Sequence, residues 1–253
     1  MKVSWRPPRQ KPYRTKQDEE ERMRICKKLR SSPGTYWQHK IDMYLDNKQW
    51  DLPITKKGAK FLKMRKVRGH LRTPGEGLKK GFTKPNARKH RVNTGGTTNL
   101  CAAIIGGRVR VWHYLPDRWC GAEAAALYRD VLKPALDRYR GPKRAYTILE
   151  DNDPVGYKCN QGRKQKQVLG IKPIEFPTYS PDMNPCDFSL WREVENRMEK
   201  RRAPKNETAE EFKARLRQIA LGIPERVIRK MLGDMKPRIE NIYQNNGVPC
   251  DWD

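Results

Sequence analysis

The sequence predicts a mixed α/β domain with a helical tail, on three observations. Alternating polar and apolar residues, with a Gly-Gly turn signal, place strands and a hairpin in the first half. A long amphipathic helix, an apolar strand, a basic helix and another short strand then follow in turn. Residues 203–253 carry only helical periodicity.

The elements divide into three stretches. Residues 1–35 form a basic, Pro-rich lead-in, "WRPPRQKPYRTK", followed by a charged helix, "QDEEERMRICKKLR". Met23, Cys26 and Leu29 share one face of that helix, enough to dock it onto a larger body. Residues 36–202 hold the predicted main α/β domain. In "HKIDMYLDNKQWDLP" Ile41, Met43 and Leu45 alternate with Asp42, Tyr44 and Asp46, the period of a half-buried strand. A second short strand is expected at Gln49–Leu52, closed by Pro53. "NLCAAIIGG" and "RVRVWHYL" read as a hairpin turning at Gly106-Gly107. In "GAEAAALYRDVLKPALDRYR" apolar residues recur at helical spacing, with Pro134 placed to kink the helix. "AYTILED" is a central strand, "QGRKQKQVLG" a basic helix ending at Gly170, and "IKPIEF" a short strand. A helix is expected from "PTYSPDMNPCDF" to about Arg201, and two more at 207–221 and 224–244. Phe212, Leu216, Ile219 and Ala220 make the packing face of the first of these.

The segment 55–98 is of another kind. It is rich in lysine and arginine against a single acid, Glu76, and is repeatedly broken by glycine and proline. It predicts a long basic insertion loop, with one short helix near 56–66. Its Lys56, Lys57, Lys60, Lys63, Arg65, Lys66, Arg68, Lys79, Lys80, Arg88, Lys89 and Arg91, with Arg163, Lys164 and Lys166 of the later basic helix, are the candidate polyanion contacts.

Charge sets the partner class. Lys and Arg number 55 against 29 Asp and Glu, a net +26, and only 36% of residues are hydrophobic. The sequence pI is near 10.0 and the mean hydropathy −0.98. That balance implies nucleic acid. No long apolar span, signal peptide or lipidation motif argues for a membrane partner. The six cysteines show no CxxC and no zinc-finger spacing, as expected of reduced thiols in an intracellular protein.

Within so basic a chain, "ILEDNDPVGY" concentrates acid at the end of an apolar strand. Asp46 closes the first strand, Asp151 the strand at 146–150, and Asp187 opens the helix that begins near Pro185. With the two strands side by side and the helix across them, the three carboxylates converge at one sheet edge. Crowded carboxylates repel unless a cation sits between them, and Mg²⁺ takes hard oxygen ligands of this kind. Each acid also has a structural reading: "DNDP" is turn chemistry, and Asn184-Pro185 with Asp187 at the third helical position is cap chemistry.

Residues 146–198, "TILEDNDPVGY…IKPIEFPTYSPDMNPCDFSLWREVENRM", resemble the catalytic core of Tc1/mariner-type DDE/D transposases. There an apolar strand ends in a D-N-x-P turn, and the last acid follows an S-P-D-x-N-P stretch leading into a Trp-bearing helix. Asp151 matches the second catalytic acid and Asp187 the third, an Asp as in mariner elements. "LDNKQWDL" is similar to the first-acid strand, with Trp50 in the aromatic slot if Asp46 is the acid; Asp42, on the same strand face, is the fallback. The resemblance implies an RNase H-like mixed sheet flanked by helices. It implies metal-dependent DNA cleavage and strand transfer, with Asp46, Asp151 and Asp187 holding two Mg²⁺ or Mn²⁺ ions. Its partners would be transposon ends and target DNA, with no small-molecule substrate; the oligomeric state is left open, a homodimer included. A nuclear location follows if the host is eukaryotic, a cytoplasmic one otherwise.

Two departures stand out. The family's His shortly after the D-N-x-P turn is replaced by the stretch Val155, Gly156, Tyr157. The chain also starts almost at the catalytic lead-in, without the N-terminal helix-turn-helix modules usual in the family. The alternative is a catalytically inactive, transposon-derived protein that binds DNA nonspecifically.

Overall fold

The computed structural model describes residues 15–52, 96–201, 203–204 and 206–248, with the backbone of four short strands elsewhere. Those strands pair Ser4–Arg6 with His70–Arg72 and Arg9–Gln10 with Thr83–Lys84. Apart from these strands and residues 96–98, the 55–98 insertion lies outside the described residues, and with it the expected helix near 56–66 and every candidate contact from Lys56 to Arg91.

Five strands build the central sheet: β1 (Met43–Asp51), β2 (Thr97–Ile105), β3 (Arg108–Leu115), β4 (Tyr146–Leu149) and β5 (Ile171–Pro173). Their order is β3-β2-β1-β4-β5. β1 is antiparallel to β2 along its whole length, from Met43 opposite Ile105 to Asp51 opposite Thr97. It is therefore one continuous strand, not the two short ones its sequence suggests, because the long β2 supplies backbone partners throughout. β4 lies parallel to β1 on its other side, Met43 beside Ile148 and Tyr44 beside Leu149. Extending that register by two residues brings Asp46 level with Asp151. The β2–β3 hairpin turns at Gly106 and Gly107, whose φ values of 59° and 78° suit glycine in a tight two-residue turn.

Helices cover both faces. One face carries α3, which runs through Gly121–Leu127, a π-helical turn at Tyr128–Leu132 and Lys133–Arg140, followed after β4 by α4 (Asn160–Val168). The kink expected at Pro134 is taken up by that turn: Pro134 has no N–H to donate, and the ladder widens just before it, Lys133 N–H reaching Tyr128 O. Met43, Leu45, Cys101 and Ala103 pack here against Leu127, Tyr128, Leu132 and Leu136.

The other face is the larger. It holds α1 (Lys16–Leu29), α2 (Gly34–His39), α5 (Cys186–Leu190 as a π turn, then Trp191–Lys200), α6 (Ala209–Leu221), α7 (Glu225–Gly233) and α8 (Met235–Gln244). Tyr44, Leu100, Ala102 and Ile104 from the sheet share one core with Trp191, Phe212, Leu216, Ile228 and Ile239. The α6 packing face is as read from sequence, all four residues buried. The single helix expected at 224–244 is two, broken at Gly233-Asp234. Pro237 cannot donate to the Gly233 carbonyl but fits the first turn of a new helix. α1 buries Arg22, Ile25 and Cys26, with Met23 and Leu29 at the margin. Among the described residues no helix is long and apolar enough to cross a membrane.

Candidate active site

The middle of β1, the carboxyl end of β4 and the start of α5 meet at one place. Asp46 does not close the first strand, as its sequence suggested, because pairing with β2 carries β1 on to Asp51. Asp46 projects from β1 toward α5, where it is 5% exposed and its Oδ2 accepts from Trp191 Nε1 at 2.8 Å. Trp191 stands edge-on to both Trp50 and Trp112, with ring centroids 6.4 and 5.8 Å away. The aromatic slot after Asp46 and the Trp of the third-acid helix are thus one packed cluster beneath the same carboxylate. Trp112 is core.

Asp187 is delivered by its loop. Asn184, fully buried, accepts from Cys186 N–H at 3.1 Å as a cap and donates Nδ2 to Leu45 O at 3.2 Å. The residue before Asp46 and the loop before Asp187 are thereby stapled together. Behind the loop lies Arg22, invisible as a site residue in the sequence and 0% exposed. It donates to Ser180 Oγ at 2.5 Å, to both Asp182 oxygens at 2.9 and 2.7 Å, and to Gly247 O at 2.7 Å.

Asp151 follows β4. Its Oδ1 accepts from Asp153 N–H at 3.3 Å, while Asp153 closes the turn by accepting from Val155 N–H, Gly156 N–H and Trp119 Nε1. Asn152 ties the turn to Phe176 O at 2.5 Å. The turn reading therefore describes Asp153 and, through its bond to the Asp153 N–H, Asp151 as well, and the N-cap reading describes Asn184. Both devices hold the flanking acids in place.

The three acids sense one another. Burial, then the charge of Asp187, pushes the Asp46 carboxyl well above the ordinary range. Burial raises Asp187 to about 6 even though it accepts a hydrogen bond from Asp46. Burial, then the charge of Asp46, raises Asp151 to about 7. Asp46 and Asp187 thus act on each other, with Lys48 the nearby positive charge that opposes both shifts. Asp42, the fallback first acid, is placed otherwise: it accepts from Thr147 N–H and pairs with Arg140 Nε at 2.9 Å and Lys143 Nζ at 2.6 Å. Burial works against its ionised form, but those hydrogen bonds win and hold its carboxyl below the usual range.

A cleft of about 640 Å³ opens over this edge. Asp151 and Asp187 line it with Asn47, Trp119, Tyr157, Tyr179 and the 176–178 segment. Asp46 is not among the lining residues and reaches the cleft through Asp187. Among the described residues, no three His, Cys, Asp or Glu side chains already stand as a metal-ligand set.

No protein-family model and no curated protein matches the chain. Solved structures do. The Mos1 mariner paired-end complex with Mn aligns at TM-score 0.70 and 19% identity, over 99% of this chain and 68% of that one. The Mos1 transposase catalytic domain with Raltegravir and Mn gives 0.68 at 16% identity, over 95% of this chain and 100% of that one. The catalytic domain of Mos1 mariner transposase alone gives 0.67 at 17% identity, over 97% and 100%. The chain has the fold of a mariner transposase catalytic domain. Its mixed sheet flanked by helices is accordingly the RNase H-like one that the sequence predicts.

Within this mariner fold one expected surface contact is corrected. Lys166 is 3% exposed, and its ammonium is bound to Glu150 and to Tyr157 O, with Glu150 also accepting from Tyr128. Burial lowers the Lys166 pKa and raises that of Glu150, each against the pull of the other. Facing the core behind Asp151, Lys166 is not presented to a ligand on the surface. Arg163 and Lys164, one turn away, are exposed.

Proposed function

We propose that this chain is the catalytic core of a mariner-type transposase that cleaves and joins DNA strands. The observation that supports it most is the convergence of Asp46 from the middle of β1, Asp151 after the end of β4 and Asp187 from the start of α5, each with its carboxyl raised by burial and by the charge of another of the three. Three mutually repelling carboxylates, with only Lys48 opposing them, are a donor set short of positive charge. Hard oxygens are what Mg²⁺ and Mn²⁺ take, so the ionised carboxylates fit a divalent ion. Asp46, Asp151 and Asp187 would hold it. A divalent ion held there would supply activation of the attacking oxygen and stabilisation of charge on the phosphate.

The chain's own residues do the rest. Trp191 orients Asp46, Asn184 fixes Asp187 beside β1, and the Asp153 turn aims Asp151. The exposed Arg163 and Lys164, with the basic insertion, supply backbone contacts that do not depend on sequence.

Plasmid nicking in Mg²⁺ or Mn²⁺ tests the reading. Asp151→Asn is expected to abolish nicking while DNA binding stays equal or strengthens, since a negative charge is removed. Undiminished cleavage by that variant overturns it. A parent chain that binds DNA in a salt-sensitive way, yet never nicks it with either metal, is instead the inactive DNA-binding protein.

A further inference from the structure

The stretch that stands in place of the family's His leads to a group that the three acids do not account for. Asn47 follows Asp46 directly, so the two side chains leave opposite faces of β1. Asp46 turns toward α5, whereas Asn47 turns toward Tyr157 and lines the cleft with Asp151 and Asp187. The Tyr157 hydroxyl donates to Asn47 Oδ1 at 2.5 Å. On its other side Cys101 Sγ lies 3.8 Å away, placed to donate its thiol proton to the same hydroxyl oxygen. The Asn47 amide is thus held by its oxygen, and its Nδ2 has no partner among the described residues.

Tyr157 is built to stay where it is. It is 1% exposed, and its ring meets Trp119 and Tyr128 edge-on at 5.5 and 5.9 Å. Lys166 Nζ anchors its carbonyl at 3.0 Å. Gly156 leaves no slack, because a Cβ there would sit 2.3 Å from the Trp119 indole nitrogen.

We propose that Asn47 is a substrate-positioning residue, donating Nδ2–H to a non-bridging oxygen of the scissile phosphate in the cleft, with Tyr157 fixing the amide. This rests on the strand-cleavage reading of the same cleft. The oxygen that a hard cation would seek is already taken by Tyr157, and the end left free is a donor that suits an anion. A lysine in this place would pair with the nearby carboxylates. A neutral amide neither neutralises them nor competes with a cation, yet it grips phosphate within the cleft that Asp151 and Asp187 line, from the face of β1 opposite Asp46.

Nicking kinetics and metal-supported binding test it together. Asn47→Ala is expected to lower kcat/KM for Mg²⁺-dependent nicking about 100-fold, as loss of one preorganised donor does. The Mg²⁺ concentration giving half-maximal rate should not move. Tyr157→Phe, which only frees the amide to rotate, is expected to cost about 10-fold, as loss of an orienting partner does. In Ca²⁺, a short DNA duplex is expected to bind the Asn47→Ala chain about 10-fold more weakly than the parent, the size of one lost charge-assisted hydrogen bond. Unchanged nicking by Asn47→Ala overturns the proposal, as does full recovery in excess Mg²⁺, which would make Asn47 a metal ligand. A parent that does not nick overturns the cleavage reading instead. The Ca²⁺ measurement then decides Asn47 separately: weaker binding sustains it and equal binding overturns it.

Discussion

Asp42, one residue before β1, and Asp46 within it are both buried, yet their neighbours give them opposite characters. Asp42 turns to Arg140 and Lys143 at the end of α3, Asp46 to Trp191 of α5. Asp42 meets two cations and an amide, and so remains a carboxylate. Asp46 is buried beside another carboxylate, and its carboxyl is pushed well above the ordinary range. Alternation along the strand made the two equivalent in the sequence; the partners, about a hundred or more residues away, distinguish them. The consequence is a pH dependence of known sign. Asp187 and Asp151 titrate near 6 and 7 in the folded chain, above the carboxylate value of the unfolded one. Such groups contribute stability that is complete below about pH 4 and is lost as pH rises through 6 and 7. Glu175, lowered to about 2 by Arg24 and Lys28, works the other way, but only below about pH 4.5, and at a half-exposed site. The metal-free chain is therefore expected to show a falling Tm between pH 5.5 and 8. Mn²⁺ should raise Tm more at pH 8, where the acids have lost their protons, than at pH 5.5. Thermal melts at both pH values, with and without Mn²⁺, check this; an equal Mn²⁺ increment at the two would count against metal binding by the raised acids.

Elements were legible where local chemistry decides them. The Gly106-Gly107 turn fixes its own hairpin, and the apolar stripe of α6 buries as read. Legibility failed where a distant partner decides. The length of β1 is set by β2, and the inward turn of Lys166 by Glu150, sixteen positions earlier across the strand–helix packing. In a helix as polar as α4, nothing local says which lysine faces in. Arg22 was hidden for the same reason, its Ser180 and Asp182 partners lying 158 and 160 positions on. Asn184 is the intermediate case: its cap was readable, but its second bond, to Leu45 O, was not. That second bond makes it the joint between β1 and α5. Asn184→Ala is expected to destabilise the fold by about 2 kcal/mol, from a lost cap and an unpaired buried carbonyl. It should also raise the Mg²⁺ requirement for nicking, because Asp187 is no longer held beside Asp46. Urea unfolding alongside a Mg²⁺ titration checks both, and a purely structural role would move only the first.

At the scale of the whole molecule, the acidic edge is an island in a chain of net charge +26. The two signs do different work: the surface cations attract a polyanion over distances comparable with the Debye length, while the buried acids act only at contact. Lys166 shows that composition alone does not say which cations belong to the surface, since its charge is matched internally by Glu150. DNA affinity separates the two populations. On a plot of log affinity against log salt, each phosphate-neutralising cation contributes a slope of about −0.9 for duplex DNA. Arg163→Ala and Lys164→Ala are each expected to make the slope shallower by about that amount and to weaken binding across sequences alike. Lys166→Met should leave the slope as it is, because a cation already held by Glu150 and Tyr157 releases no DNA counterion, and its cost should fall instead on stability, where Glu150 is left buried without its partner. A change in slope for Lys166→Met equal to that for Arg163→Ala would place the Lys166 ammonium on the DNA and undo the inward arrangement behind Asp151.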